Sequence, residues 1–91
     1  MTIILTDNGY ESNTKNYGNV VDLFDTVAEF VEFLRNELTE MQSGMRADGV
    51  LGEDEFLLPS KRYPTHPKVF FKELWETYQE IKGEEIDFQI I

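Results

Sequence analysis

The chain reads as a small two-layer domain of the α/β or α+β class, and three patterns carry that reading. Two stretches, at about 20–42 and 67–82, repeat apolar residues at helical spacing. Short aliphatic runs at 2–6, 55–58 and 85–91 supply about three strands of a small sheet. Glycine, proline and asparagine clusters separate these elements. At 91 residues the expectation is a single domain, 1–91. A chain this short buries only about 60–65% of its unfolded surface, enough for one core between two layers. A hydrophobic share of 41% beside 29% charged residues is the composition of a folded protein.

Residues 2–6, Thr-Ile-Ile-Leu-Thr, form the first strand and stop at the turn signal Asp7-Asn8-Gly9. The polar stretch 10–19 is either a returning hairpin strand or a surface loop. Asn19 stands as N-cap of the first helix, with Asp22 in its first turn, where a negative charge suits the helix dipole. Leu23, Val27, Phe30, Leu34, Leu38 and Met41 make its core stripe, and Gly44 is its expected stop. Residues 44–55 form a loop with a tight turn at Asp48-Gly49. Phe56-Leu57-Leu58, closed by Pro59, is a short strand or an apolar plug.

The connector that follows carries Lys61-Arg62. Pro67 then opens the second helix, with Thr65 or His66 near its cap. Phe70, Phe71, Leu74, Tyr78 and Ile81 share the core face of that helix, Trp75 lies at its margin, and Gly83 ends it. Residues 85–91 alternate apolar and polar as a half-buried strand does. Helices crossing over between parallel strands give an α/β domain. A hairpin over 2–17 with the last strand alongside gives an α+β sandwich.

Catalytic chemistry finds little to work with. No cysteine is present, so thiol nucleophiles, disulfides and zinc knuckles are excluded. The one histidine, His66, has no second histidine to complete a metal set and reads as a cap or surface residue. The acidic loops 48–55 and 7–19 lack the ligand spacing of a calcium site. Glycines 44, 49 and 52 are not followed by the Gly-Lys-Ser/Thr of a phosphate loop. No enzyme activity, cofactor or metal is expected. The N-terminus lacks the basic region of a signal peptide, and no apolar run reaches the roughly 18 residues of a membrane span. A cytoplasmic protein is expected.

Charge is the informative feature. Eighteen acids face eight bases, a net charge of −10, which repels nucleic acid and anionic membranes and attracts basic partners. Residues 20–42 hold Asp22, Asp25, Glu29, Glu32, Glu37 and Glu40 against Arg35 alone, whereas acids and bases balance on the second helix. Asp22, Asp25, Glu29, Glu32, Asn36 and Glu40 fall within a roughly 80° arc of a helix and extend for about 27 Å. Their steps of roughly 4.5–6 Å approach the spacing of phosphates along a strand. Phe33 lies beside the row as an apolar anchor, and Glu53, Asp54 and Glu55 add further charge.

The expected function is therefore a non-catalytic inhibitor that mimics nucleic acid. It would dock on the basic surface of a DNA- or RNA-binding protein, as small proteins of phages and mobile elements do. A solvated helix face that only keeps the chain dispersed is the alternative reading of the row. From Phe70 onward, a helix, Gly83, acids and a terminal strand, about a quarter of the chain, resemble the end of barstar-like nuclease inhibitors. The rest departs from that family's pattern of short helices. That resemblance implies an antitoxin or immunity protein that plugs a nuclease active site. A homodimeric structural module built on Trp75 and Phe33 is the third expectation.

Overall fold

The computed structural model describes residues 1–7, 19–83 and 85–91. Five elements follow in order: β1 (Ile3–Asp7), β2 (Asn19–Phe24), α1 (Val27–Ala47), α2 (Phe71–Lys82) and β3 (Ile86–Ile90). The strands form one sheet in the order β2-β1-β3, antiparallel at both pairings. The class is thus α+β, and parallel crossovers are absent among the described residues. Residues 8–18, which hold most of the expected turn at 7–9, of the stretch 10–19 and of the acidic loop 7–19, lie outside the described residues. None of the described helices is long and apolar enough to cross a membrane.

The chain divides into two compact units, Met1–Phe30 with Gln79–Ile91, and Val31–Tyr78. In the first, β1 alternates as a central strand should, burying Ile3 and Leu5. Phe24 lies opposite Ile3, and Phe88 lies opposite Leu5. Phe30, in the first turn of α1, closes this core. Its ring stacks on Phe24 at 5.0 Å and meets Phe88 edge-on at 5.2 Å.

The start of the first helix is the main correction. Residues 20–24 belong to β2, and α1 opens only at Val27. The β-branched pair Val20-Val21 suits a pleated strand, and the cap is Thr26, not Asn19. Thr26 Oγ1 accepts the Glu29 N–H at 3.1 Å, while Glu29 Oε2 accepts the Asp25 N–H at 3.0 Å. This is a capping box in which the glutamate reaches back to the residue before the cap. Leu23, 56% exposed, and Val27 are consequently not core residues.

In the second unit Leu34, Leu38, Leu58, Val69, Leu74 and Tyr78 form the core. Here α1 runs through Gly44 and stops at Gly49, whose φ is 78°. The Gly49 N–H bonds Arg46 O at 3.2 Å and the Val50 N–H bonds Met45 O at 2.8 Å, the two bonds of a Schellman ending. Gly44 is exposed, and a methyl group added there meets nothing within 4 Å. Gly44→Ala should therefore raise stability by about 0.5–1 kcal/mol, read as a higher urea midpoint.

The expected strand at 55–58 does not form. Leu58 is buried, Phe56 packs edge-on against Tyr63 at 5.3 Å, and the Leu57 N–H donates to Gln42 Oε1 at 3.2 Å. A side chain thus satisfies the donor that a strand neighbour would take, and the apolar run serves as a plug. The second helix likewise starts four residues late, at Phe71. Residues 63–69 turn instead, with the His66 N–H on Tyr63 O at 2.9 Å and the Val69 N–H on His66 O at 3.0 Å. Phe70 precedes the helix and is 70% exposed, not on a core face. In the first unit Gly83, at φ 111°, ends α2 by donating to Gln79 O at 2.8 Å.

Candidate functional site

The change of element breaks the acidic row. Asp22 projects from β2 and Asp25 precedes α1, so neither shares the helix face. The Glu29 carboxylate is engaged in the cap. In the second unit Glu32, Asn36 and Glu40 remain, all exposed and four residues apart on α1, with Glu37 half-buried at their flank. Successive members stand about 5–6 Å apart, and the three span about 12 Å of helix axis. The site that sequence spacing stretched to about 27 Å is thus less than half as long on this helix.

Phe33 is not a free anchor either. It is half-buried and meets Tyr78 edge-on, with ring centroids 6.1 Å apart. Trp75 is engaged as well, stacked on Phe71 at 6.5 Å and tilted against Tyr78 at 6.1 Å. Aromatic pairs of this geometry stabilise their own chain before any partner is met.

What sequence spacing did not reveal is where the arginines of α1 go. Arg35 Nη1 donates to Pro64 O at 2.6 Å and to His66 O at 3.0 Å, and its Nη2 donates to Val69 O at 2.6 Å. The guanidinium fork, with its five donors in fixed geometry, collects three carbonyls of one loop. Arg46 behaves alike. Its Nη1 donates to the Tyr63 hydroxyl at 2.9 Å and its Nη2 to Glu55 O at 2.6 Å. Its charge also lies over the Phe56 ring at 5.0 Å and the Tyr63 ring at 5.3 Å.

Both cations of the helix thus face loop carbonyls and rings. An ion pair on α2 joins Lys72 and Glu76 at 3.9 Å, largely exposed. The carboxylates of Glu32, Glu40, Glu53 and Asp54 carry no cationic partner among the described residues. Glu55 is exposed too, although its Oε1 accepts the Gly52 N–H at 2.7 Å. The bond from Arg46 to its carbonyl ties this acidic loop to the last turn of α1.

His66 serves the loop. Its Nδ1 accepts the Lys68 N–H at 3.1 Å and its carbonyl accepts from Arg35. A shallow groove of about 320 Å³ runs over Pro59, Lys68, Phe70, Lys72, Glu73 and Glu76. Its two lysines and two glutamates cancel; Glu76 pairs with Lys72, and Glu73 Oε2 accepts the Ser60 N–H at 2.9 Å. Among the described residues no three His, Asp or Glu side chains converge as a metal site requires. Comparison with protein-family models, curated proteins and solved structures returns no match.

Proposed function

We propose that the chain is a non-catalytic acidic binding protein. It docks the carboxylate face of α1, through Glu32, Asn36 and Glu40, together with Glu53, Asp54 and Glu55, on the basic surface of a nucleic-acid-binding protein. The observation that carries this reading is the commitment of Arg35, which stands between Glu32 and Glu40 in the sequence, to the carbonyls of Pro64, His66 and Val69 through part-buried bonds. That base would otherwise offset the acids of the same helix. Turned to carbonyls, it forms no ion pair with Glu32 or Glu40, while Arg46 bonds the acidic loop at Glu55 O. Proteins that bind phosphate backbones carry the concentrated Lys and Arg such a surface attracts.

Contacts of this kind are electrostatically steered and weaken with salt. The triple variant Glu32→Lys, Asp54→Lys and Glu40→Lys changes exposed side chains and leaves the fold's own bonds in place. The basic proteins retained by the immobilised chain at low salt should bind this variant at least about tenfold more weakly and elute at lower salt. Added duplex DNA or RNA should compete for the same proteins. Undiminished binding by the variant would refute the acidic face as the docking surface. Retention that nucleic acid cannot displace would keep an acidic contact but exclude mimicry. A captured nuclease that loses activity on binding would instead assign the immunity-protein role implied by the barstar-like tail.

A further inference from the structure

Among the described residues the three-stranded antiparallel sheet has β2 and β3 at its edges, and a sheet edge presents backbone donors that invite another strand. The composition of β2, Asn-Val-Val-Asp-Leu-Phe, makes that a real hazard, since Val20 and Leu23 are 59% and 56% exposed. Which N–H groups face outward follows from the ladder. Thr2 and Ile91 exchange both bonds, Thr2 N–H to Ile91 O at 3.1 Å and Ile91 N–H to Thr2 O at 2.8 Å. Hydrogen-bonded and non-hydrogen-bonded pairs then alternate along β1. Ile4 and Thr6 face β3, and Ile3 and Leu5 face β2. Leu23, opposite Ile4, and Phe88, opposite Leu5, therefore point their N–H groups away from β1, toward the two outer edges.

Both of these outward donors are taken by the preceding residue. Asp22 Oδ1 accepts the Leu23 N–H at 2.8 Å, and Asp87 Oδ1 accepts the Phe88 N–H at 2.8 Å. The next outward position on β3 is closed as well. The Ile86 N–H donates to Gly83 O at 3.2 Å, and Ile86 O accepts from Gln79 Nε2 at 3.1 Å. On β2 the register shifts, because Leu5 pairs with Asp22 and Thr6 with Val20, which leaves Val21 as a bulge. We infer that Asp22 and Asp87 are edge guards that stop the sheet from pairing with the edge strand of a second copy of this chain. Each withdraws a backbone donor that the edge strand of a second copy would use.

The inference is independent of the proposed docking partner, which uses a helix face. Its test is the double variant Asp22→Ala, Asp87→Ala, followed by light scattering across concentration and by infrared detection of intermolecular β-structure. The variant should associate at concentrations at which the unaltered chain does not. The pair Asp22→Asn, Asp87→Asn keeps the Oδ1 acceptor and should associate no more than the unaltered chain. An alanine variant that associates no further overturns the guard, and so does an asparagine pair that associates as readily as the alanine pair. If the alanine variant fails to fold, amide hydrogen exchange of the unaltered chain decides. The Leu23 and Phe88 amides should exchange more slowly than the outward Ile90 amide, and equal rates overturn the inference.

Discussion

Replacing Arg35 with Met should lower stability by about 3–5 kcal/mol. A hydrogen bond to a charged group is worth about 1.5–3 kcal/mol, and Arg35 makes three. The bonds are not additive, because one guanidinium serves all three carbonyls, so the total stays below their sum. The Met stem retains most of the packing, but the Pro64 and Val69 carbonyls lose the donor their positions were built around. Arg35→Lys should recover only a minor part, since an ammonium cannot fork across carbonyls of three residues. Chains of this length have about 5–14 kcal/mol to lose. A urea titration should show the Met variant's midpoint far below that of the unaltered chain. A shift under 1 kcal/mol would mean that the loop 59–70 is held by its own turns.

Phe30→Ala should cost a comparable 3–5 kcal/mol, acting in the first unit. Phe30 is 1% exposed and lies against both Phe24 and Phe88, so its removal leaves a cavity bounded by side chains of two strands. Phe30→Leu, which keeps most of the volume, should lose less than half as much. The readout is the denaturant midpoint together with the near-ultraviolet signal of the aromatic cluster. Unchanged values would show that the sheet does not depend on the first turn of α1.

Several features of the fold were legible because one local signal acted alone. The aliphatic run at 2–6 and the alternation at 85–91 give strands β1 and β3, and the stripe Phe30, Leu34, Leu38 gives the buried face of α1. Misreading arose where two periods overlapped. Leu23 and Val27 stand four apart and extend that stripe by accident, so β2 took on the look of a helical turn. The contrary signal was Thr26 followed three residues later by Glu29. Gly44 was misleading for another reason. A glycine in a helix costs about 1 kcal/mol, which tertiary packing overrides, whereas Gly49 occupies the conformation in which glycine is favoured. The acidic surface was legible as charge, but its length was not, since Asp22 and Asp25 fall outside the helix. The engagement of Arg35 by loop carbonyls depends on residues up to thirty-four positions away, beyond the reach of any local pattern.

The central place of β1 has a consequence for how the sheet is reached from the unfolded chain. Leu5 faces Asp22 across 17 residues on one side and Phe88 across 83 on the other. Closing the longer loop costs about 1.4 kcal/mol more in chain entropy, since each doubling of length adds roughly 0.6 kcal/mol. The pairing of β1 with β3 is thus the non-local step, and such steps are slow. That step joins the two ends of the chain, where Thr2 and Ile91 exchange both of their hydrogen bonds.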